Sequence, residues 1–522
     1  MQLSNDFDDI IVGAGSAGAV LAARLSEDPG RRVALVEAGA HYPTSEQTPD
    51  DLLDGNAMAM VGHNWPLTAR LTADRDTRYA QARVAGGGSA VGNTVAIRGT
   101  PGDYDEWAAL GNPLWSWSAV LPHLRAMEDD LDYDGPYHGR GGPTPIRRWR
   151  PEELTDVQQS FFDACLAAGY PLSEDHNDPA STGVGPIPSN RRGARLRVST
   201  AMAYLWPAQH RENLTILPDT QVDRVLLTDG AVRGVRLVAG SGVQDLRANR
   251  VILAAGAIGT PPILLRSGIG PGDLLRDLGI GQQAELPGVG AGLTDQPRVG
   301  VFMVPRPGAE NEGRSTGQIV LRTTAIGAGE APGTGRFNDL YYAMVNRFDL
   351  THHFPQLRRD AGAGIVFGVM VVARRAASRG SVTIASADPR AVPVIDLNYL
   401  SADYDYRLLA EGVRTCWDLA HSAKIRDQGE RVVGLDERTI DSDDALRDYV
   451  ASTVDSTYNP VGTARMGPAG DPGSVVDQHC AVHGTSGLYV ADASVMPAMV
   501  CANVNLTVIM IAEAAAAMLR GR

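Results

Sequence analysis

The sequence predicts an α/β fold, α+β over the whole chain, in which a Rossmann-like nucleotide-binding domain is assembled from discontinuous segments and a second domain shares the polypeptide. The chain has 522 residues with 43% hydrophobic content, enough for a large core and two domains. A glycine-rich turn follows the first strand pattern and opens a helix pattern. Further strand-like runs come much later, at 250–270 and 487–497. Two irregular stretches, 134–150 and 306–335, are predicted surface loops, the second long enough for a lid.

The composition indicates a soluble globular protein and excludes several classes of function. Lys and Arg total 47 against 61 Asp and Glu, a formal net charge of −14 without a basic stripe, so we expect no nucleic-acid partner and no membrane anchor. The four cysteines lack C-x-x-C spacing, which argues against a metal site or a disulfide framework and favours a reducing compartment, by default the cytoplasm. No apolar signal segment precedes the first strand. The apolar run 506–519 is interrupted by Glu513 and too short to span a bilayer, so we predict a buried helix.

The N-terminal segment carries a dinucleotide-binding pattern. Residues 7–12 read FDDIIV, a predicted buried strand, and GAGSAG and a helix pattern follow at once. In the G-x-G-x-x-G spacing, Gly13 permits a tight turn, Gly15 lets the backbone approach a pyrophosphate, and Gly18 lets helix and strand pack closely. The helix N-terminus offers free N–H groups to phosphates. Glu37 ends the second strand, where it can accept a hydrogen bond from a ribose hydroxyl. The alternative is a glycine-rich turn that binds no ligand.

The order of the remaining segments favours FAD as the dinucleotide. A continuous NAD domain would run on as regular βαβ units, but after Gly39 the chain turns to loops and a glycine cluster at 83–93. A domain assembled from three separated stretches fits FAD, whose flavin end must be held beyond the pyrophosphate. Asp492 ends the strand pattern of the third stretch. It either faces the pyrophosphate or ribityl region of FAD or caps the helix that follows.

Six separated motifs extend this pattern along nearly the entire chain. They read VGAGSAGAVLAARLSED with VALVEAG, ARVAGGGSAVGNTVAIRGTPGDYDEW, AAGAIGTPPILLRSGIGP, RGSVTIASADPRAVPVIDLNYLS, YNPVGTARMG and VADASVMPAMVCANVNLTVIMIAE. In this order they resemble the glucose–methanol–choline (GMC) flavoprotein oxidoreductases, most closely the choline oxidase and hydroxymethylfurfural oxidase branch. The resemblance implies an FAD domain, a substrate domain with an antiparallel sheet and flanking helices, and oxidation of an alcohol by hydride transfer to flavin N5. The implied partners are a small polar, aromatic or sugar alcohol and oxygen or another electron acceptor.

The resemblance also implies domain boundaries and cofactor-binding residues. The FAD-binding domain would take residues 1–150, 195–300 and 465–522, and the substrate-binding domain 151–194 and 301–464. The implied cofactor-binding residues are Gly13, Gly15, Gly18 and Glu37 at the ADP part; Val222 at the adenine; Gly88, Val91 and Asn93 beside the isoalloxazine; Asp492, Ala493, Asn503 and Val504 at the ribityl and pyrimidine side; and Ser16, Ala17, Ala38, Trp65, Arg83, Gly87 and Ala255 within or near the same motifs. Trp65 either lines the cavity or belongs to the core.

Several positions depart from the family pattern. Some members carry, at the position of Val91, a histidine that bonds covalently to FAD, so the resemblance implies a non-covalent flavin here. The asparagine usual at the position of Gly92 comes one place later, as Asn93, which leaves the local flavin contacts open. In the segment GVGAGLTDQP, Gly292 and Gln296 stand where the pattern N-L-x-D-H has asparagine and histidine.

The departure with the largest chemical consequence lies in YNPVGTARMG, where Asn459 stands at the position of the catalytic histidine. In the mechanism that the resemblance implies, this histidine removes or stabilises the hydroxyl proton, and a second His or Asn, here Asn505, supports the same oxygen. An amide donates and accepts hydrogen bonds but does not titrate in water. Asn459 would therefore orient the oxygen without taking its proton. The alternative is that Asn459 only fixes the turn before Pro460.

Loss of the histidine leaves the base and the reaction class open. The other residues considered as a base are His63, the pair His352 and His353, and Tyr458. His479 and His483 lie in the segment DQHCAVHG, which the resemblance implies is a structural strand and turn. A phenol with a pKa of about 10 is a poor base at neutral pH. The leading hypothesis is FAD-dependent oxidation of an alcohol. The alternatives are a non-redox or atypical flavoenzyme on the same scaffold, such as a lyase, an isomerase or a photodecarboxylase-like enzyme, and a flavin-binding protein without activity.

Overall fold

The computed structural model describes residues 6–239, 242–327, 337–350 and 355–521, and its mixture of helices and strands confirms the α/β prediction. The α-helices are Ser16–Leu25, Asp50–Leu53, Gly88–Val91, Pro101–Ala109, Trp117–Ala126, Asp156–Ala167, Trp206–Ala208, Gly256–Arg266, Gly272–Asp277, Pro355–Ala361, Asp403–Ala420, Ala423–Arg426, Glu437–Asp441, Asp443–Thr453 and Val504–Arg520. Shorter 3₁₀ turns span Pro113–Trp115, Pro151–Glu153 and Ala493–Val495, and a π-helical turn spans Ala201–Leu205.

A sheet of seven strands, counted over the described residues, carries the N-terminal glycine turn and is called here the nucleotide sheet. Its order is Leu214–Leu217, Val33–Val36, Asp6–Val12, Gly242–Leu253, Ala231–Ala239 and Gln221–Thr228, and Leu488–Val490 pairs with Gly242–Leu253. The strands around Asp6–Val12 run parallel. Because parallel strands end at one edge, the turn after Asp6–Val12 lies beside the ends of its neighbours, where such sheets bind ligands.

A second sheet, again of seven strands within the described ranges, is antiparallel throughout and is called here the substrate sheet. Its order is Gly429–Val432, Pro297–Pro305, Ile365–Ala373, Leu340–Asp349, Ile319–Thr323 and Gly183–Pro186, and Asp455–Ser456 pairs with Pro297–Pro305. Helix Asp403–Ala420 packs on this sheet with an apolar stripe that includes Leu409 and Val413. An antiparallel sheet with a flanking helix is the architecture expected for the substrate domain.

The remaining strands form smaller sheets. Five strands pair in the order Ala291–Leu293, Gly380–Thr383, Val394–Asp396, Leu67–Thr72 and Arg75–Tyr79. Two-stranded pairs are Ile269–Gly270 with Ala284–Glu285, Glu128–Asp130 with Thr144–Ile146, and Arg191–Arg192 with Leu196–Arg197. The five-stranded sheet joins strands assigned to both domains, so the domain boundaries stay a prediction.

The predicted surface loops are wrong in part. Residues 319–323 form a buried inner strand of the substrate sheet, and 144–146 form a buried strand beside 128–130. In both stretches a short apolar run lies among glycines and charged residues, and pairing with another strand stabilises it. Residues 328–335 of the predicted lid lie outside the described ranges, which resume at residue 337.

The C-terminal apolar run forms the predicted buried helix, Val504–Arg520. The helix packs on Ser16–Leu25, and the Glu513 carboxylate that interrupts its apolar run accepts hydrogen bonds from Arg24 and from the Tyr204 hydroxyl. The pairing explains how a carboxylate is tolerated on a buried face. Across the described part of the chain, no helix combines the length and apolar character needed to cross a membrane.

Candidate active site

A cavity of about 450 Å³ lies where the ligand-binding edge of the nucleotide sheet faces the substrate sheet. Cavities of this size hold cofactors and small substrates. The predicted site residues on its wall are Gly13, Gly15, Ser16, Ala17, Glu37, Ala38, Trp65, Gly87, Gly88, Val91, Asn93, Val222, Ala255, Asn459, Asp492, Ala493, Asn503, Val504 and Asn505. Gly18 and Arg83 lie off the wall. Tertiary structure therefore brings together residues from all of the separated segments.

In the glycine turn, contacts with other protein atoms exclude a side chain at Gly13 and Gly18 but not at Gly15. A Cβ on Gly13, which has φ of +96°, would lie 2.7 Å from the Ala254 carbonyl oxygen, and a Cβ on Gly18 would lie 1.8 Å from the Gly13 oxygen. Gly15 differs, because its φ is −69° and the nearest protein atom to a Cβ would be Gly87 Cα at 3.8 Å. The protein leaves room for a side chain at Gly15, as expected where a bound cofactor fills that space.

The helix that follows this turn offers donors to an anion. Helix Ser16–Leu25 has no side-chain N-cap and no acidic residue in its first turn. Its first backbone N–H groups therefore lack side-chain acceptors at the cavity wall, where a pyrophosphate would be held by them and by the helix dipole. These features fit FAD.

At the ADP end, Glu37 and Val222 occupy positions that suit their predicted roles. The Glu37 carboxylate accepts backbone hydrogen bonds from Ala14 and Gly39, each at 2.8 Å. Burial raises the pKa of Glu37 and the two donors oppose that shift. Each carboxylate oxygen keeps a further lone pair for a ribose hydroxyl. Val222 lies at a register shift before Arg224, and such a bulge turns the backbone away from the strand ladder.

Asp492 satisfies the capping alternative and also lies on the cavity wall. Oδ1 accepts from the backbone N and hydroxyl of Ser494, and Oδ2 accepts from Gly256 N at 2.9 Å and Thr260 Oγ1 at 2.7 Å. Burial raises the pKa of Asp492 against these four donors. The carboxylate thereby joins two wall segments, and its contact with FAD stays a prediction.

The wall predicted to face the isoalloxazine has little side-chain bulk and one unused acceptor. Gly87 has φ of +52°, and a Cβ there would lie 2.6 Å from Gly15 Cα, whereas a Cβ on Gly88 would meet no protein atom within 4 Å. Asn93 Oδ1 is buried without a hydrogen-bond partner among the described residues. A buried orphan acceptor on a cavity wall fits a ligand that donates to it.

Arg83 and Trp65, both predicted to bind the cofactor, make contacts with each other and with the protein backbone. Arg83 donates from Nε to the Ala38 carbonyl at 3.0 Å, and its guanidinium lies 4.7 Å from the centre of the Trp65 ring. Trp65 is on the cavity wall and also packs on the core of the substrate sheet, so both alternatives for it are observed. Arg83 thus holds Trp65 and the Ala38 backbone, and contact with a cofactor is not needed to explain it.

The turn that carries Asn459 is anchored by a buried carboxylate. Asp295 accepts hydrogen bonds from the Tyr79 hydroxyl at 2.7 Å, from the Ser456 hydroxyl, and from the backbone N of Asn459 at 2.8 Å and of Gln296 at 2.7 Å. Burial raises the pKa of Asp295 while these donors oppose the shift. Asp295 therefore holds the backbone at Gln296 and at Asn459.

The Asn459 amide is oriented by Gln296. Asn459 Nδ2 lies 3.0 Å from Gln296 Oε1 and 3.2 Å from Thr457 Oγ1. The acceptors around Gln296 Nε2 are the backbone carbonyls of Arg374, Val500 and Ala502, at 3.2, 3.2 and 3.0 Å. Because carbonyls only accept, Gln296 Nε2 must face them and Oε1 must face Asn459 Nδ2. Asn459 Oδ1, which has no hydrogen-bond donor among the described residues, is the amide's remaining acceptor.

Asn505 joins the two helix N-termini at the cavity. It lies in the first turn of Val504–Arg520, and its Oδ1 accepts from the hydroxyl of Ser16 at 2.7 Å. Ser16 is the first residue of helix Ser16–Leu25. Two positive helix ends therefore converge at Asn505, where negative charge on a ligand is stabilised.

The structure offers no histidine as a base within the described ranges, because none of the histidines there is on the cavity wall. His63 lies 3.3 Å from Asp51, and His483 lies 3.1 Å from the Gly467 carbonyl oxygen. His479 is also off the wall, and the pair His352 and His353 lies outside the described residues. Tyr458 is on the wall, but burial raises its pKa further, so the phenol stays protonated at neutral pH and cannot serve as a base.

Two arginines on the wall were missed by sequence reasoning. Arg298 pairs with Asp455 at 2.8 Å and lies 5.7 Å from the centre of the Tyr458 ring. Arg374 donates to Gln296 Oε1 at 2.7 Å and to Asn503 Oδ1 at 3.1 Å. Each interrupts or directly follows an apolar strand run, QPRVGVF and VMVVAR. A charged residue inside such a run is the signal that could have found them.

A separate buried cluster lies away from the cavity. The residues Glu128, Asp130 and His138 are close enough to hold a metal ion. The His138 ring nitrogens lie 3.0 Å from Asp130 and from Asp175. Arg98 pairs with Glu128, and Arg148 pairs with both aspartates. Three cations matched to three carboxylates make this an ion-pair network that is balanced without a metal.

Comparisons with known proteins agree with this site. The GMC oxidoreductase family models match residues 7–298 and 376–512. The chain is 35% identical to 5-(hydroxymethyl)furfural oxidase of Methylovorus sp. (strain MP688), covering 97% of each chain, and 34% identical to choline oxidase of Arthrobacter globiformis, covering 99% and 94%. A structure of formate oxidase of Aspergillus oryzae RIB40, solved to study FAD modification, matches with a TM-score of 0.89 and 25% identity over 99% and 98% of the chains.

These matches confirm the predicted family, FAD as the cofactor and FAD-dependent oxidoreductase as the enzyme class. The N-terminal match contains the glycine turn, and the C-terminal match contains the Asn459 corner and Asn505. The chain belongs to the GMC oxidoreductase family.

Proposed function

We propose that this protein oxidises an alcohol to a carbonyl compound, with Asn459 and Asn505 holding the alcohol oxygen. The substrate would be a small polar, aromatic or sugar alcohol. Relatives named as oxidising alcohols, 5-(hydroxymethyl)furfural oxidase and choline oxidase, match over nearly the full chain and support this class of reaction. FAD, when bound, supplies the acceptor for the hydride that leaves the carbinol carbon.

One observation carries the proposal: the Asn459 amide is held with its acceptor unused. Gln296 and Thr457 accept from Nδ2, which leaves Oδ1 to accept the hydrogen bond of a substrate hydroxyl. A bound hydroxyl that donates to Oδ1 keeps its oxygen lone pairs for a donor, and the Asn505 amide nitrogen would supply one, since Asn505 Oδ1 already accepts from Ser16. The pair of amides therefore orients the alcohol and stabilises charge that develops on its oxygen.

The amide does this without serving as a base. General base catalysis contributes about 10² to 10⁴ in rate, roughly 3 to 5 kcal/mol, and Asn459 forgoes that contribution. We therefore expect the hydroxyl proton to pass to the substrate's own basic group or to water.

FAD would be held by the glycine turn, Glu37, Val222 and the Gly87–Asn93 wall. We propose that it is held without a covalent bond, because Val91 is buried on that wall with an alkyl side chain that offers no nucleophile. The acceptor that reoxidises the flavin would be oxygen or another electron acceptor.

Anaerobic mixing with a panel of alcohols tests the proposal. At least one alcohol should bleach the visible absorbance of the oxidised flavin, and its deuterated carbinol should do so more slowly because the C–H bond breaks. Glucose, choline and benzyl alcohol represent the three chemical types. A flavin that stays oxidised with every alcohol would refute the proposal and would favour a non-redox reaction on the same scaffold.

A further inference from the structure

Two arginines line the end of the cavity that carries Asn459. Arg298 and Arg374 are on the wall there, whereas the acids on the described wall are limited to Glu37 and Asp492. Those two carboxylates are bonded to backbone or hydroxyl donors in the nucleotide-binding part. Of the two guanidinium groups at the substrate end of the wall, Arg298 is paired with Asp455, and Arg374 is the one to consider further.

Arg374 is a buried cation whose partners are neutral. Arg374 is only 2% exposed. It donates hydrogen bonds to the amide oxygens of Gln296 and Asn503, and its guanidinium lies 4.0 Å from the centre of the Tyr341 ring. No carboxylate within the described ranges pairs with it. Burial lowers its pKa to about 10, so the side chain remains a cation at neutral pH.

Two neighbouring arginines, unlike Arg374, have carboxylate partners. Arg375, the next residue, lies near the carboxylates of Glu106 and Asp103, and Arg298 pairs with Asp455. Burying a charge is expensive unless an opposite charge accompanies it, and buried arginines are usually paired. Three other buried arginines, Arg191, Arg197 and Arg322, also lack a carboxylate partner within the described ranges. Arg374 differs from them because it lies on the cavity wall, where a ligand can supply a negative charge.

We propose that Arg374 binds a carboxylate of the substrate, so that the substrate is an alcohol that also carries an acid group. This inference rests on the proposed alcohol oxidation. Arg374 Nη1 and Asn459 Nδ2 donate to the same oxygen, Gln296 Oε1, at 2.7 and 3.0 Å. The anion site and the oxygen-binding amide are therefore neighbours, and one molecule can occupy both. Arginine suits this role because its planar fork of N–H groups matches a carboxylate.

Binding of unreactive probes to the FAD-loaded wild-type protein tests the anion site without turnover. Benzoate and benzamide have nearly the same shape, and benzyltrimethylammonium carries the opposite charge. In calorimetric titrations, benzoate should bind about ten- to a hundredfold more tightly than benzamide. The reason is that the benzoate carboxylate can accept a charge-assisted hydrogen bond from the Arg374 guanidinium, whereas the benzamide group is neutral. Equal affinities for benzoate and benzamide, or tighter binding of benzyltrimethylammonium, would overturn the proposal.

Variants then assign the effect to Arg374. Arg374→Met should abolish the preference for benzoate over benzamide, and Arg374→Lys should retain part of it because the charge remains. Arg236→Met is the matched control, since Arg236 lies on an exposed strand and pairs with Asp245. A preference that persists in a folded Arg374→Met protein would refute the assignment. If that variant does not fold, an unchanged preference in Arg374→Lys, with no weakening at all, refutes it instead.

Anaerobic flavin reduction separates this inference from the proposed function. 4-(Hydroxymethyl)benzoate should reduce the flavin at least tenfold more efficiently than 4-(hydroxymethyl)benzamide. If both alcohols reduce the flavin equally well, the anion site is refuted and alcohol oxidation stands. If neither reduces it while benzoate still binds more tightly than benzamide, alcohol oxidation is refuted and the anion site stands.

Discussion

Asn459 donates from Nδ2 to Gln296 Oε1 at 3.0 Å, so two amides are in contact at positions where the family resemblance leads us to expect two histidines. Gln296 cannot rotate to present its nitrogen, because three backbone carbonyls surround that atom. Gln296 therefore fixes which end of the Asn459 amide faces the cavity.

Removal of the Asn459 amide should slow flavin reduction. Asn459→Ala deletes one hydrogen bond to the reacting oxygen, so stopped-flow reduction should fall about ten- to a thousandfold while FAD stays bound. Asn249→Ala, on the exposed surface, is the control. Full activity of Asn459→Ala on the native substrate would show that the residue only shapes the turn.

Restoring imidazoles tests the coupling between positions 459 and 296. Asn459→His should raise the rate on simple alcohols, because an imidazole titrates near neutrality and can take the proton. Combined with Gln296→His, the gain should exceed the product of the two single effects, a coupling of roughly 0.5 to 3 kcal/mol in a double-mutant cycle. Rates are compared at matched flavin content. Multiplicative effects would show that the two residues act independently.

FAD should leave the protein on denaturation. Val91 provides no nucleophile at the position where some family members form a covalent link, so acid or heat precipitation should release the flavin into the supernatant. Absorbance spectra of pellet and supernatant measure the partition. Yellow colour that stays with the precipitated polypeptide would contradict this expectation.

The glycine turn permits a matched pair of variants. Gly15→Val should give a colourless chain, because its side chain enters space that the protein leaves open for the cofactor, and the loss of bound FAD lowers the melting temperature. Gly18→Ala should destabilise even the cofactor-free chain, since its Cβ would lie 1.8 Å from the Gly13 oxygen. Flavin content and thermal melting distinguish the two. Full flavin occupancy in Gly15→Val would refute the assignment of this turn.

The buried ion-pair network predicts a loss of stability at alkaline pH. Burial lowers the pKa of His138, but the hydrogen bonds that its imidazolium donates to the carboxylates of Asp130 and Asp175 outweigh that effect and raise the pKa to about 10. With an unfolded pKa of about 6.5, the folded state holds a proton that the unfolded state lacks between these values. The stabilisation is therefore complete below pH ~6.5 and is lost as the pH rises through about 10.

Melting temperatures measured from pH 6 to pH ~10 test whether stability falls as the pH rises. The wild type should lose stability more steeply than His138→Gln, whose side chain does not titrate, while His210→Gln, at an exposed position, should follow the wild type. Parallel curves for wild type and His138→Gln would show that His138 is not protonated in the folded protein.

Local pattern was enough to predict much of the fold. The spacing of Gly13, Gly15 and Gly18 between a strand and a helix is set by short-range sterics, so the nucleotide-binding turn could be identified from adjacent residues alone. The buried helix Val504–Arg520 could be predicted from its apolar run for the same reason. The strand Ile319–Thr323 could not, because its short apolar run is stabilised by strands that are distant in sequence.

The sequence by itself determined the cofactor class, the family and the absence of a histidine at residue 459, because each depends on which residue stands in a local motif. Only the tertiary structure decided what surrounds Asn459. Gln296 and Arg374 come from different parts of the chain and meet it where strands of the substrate sheet end at the cavity. Hydrogen-bond direction depends on which donors and acceptors are neighbours in space, and no spacing along one segment encodes that arrangement.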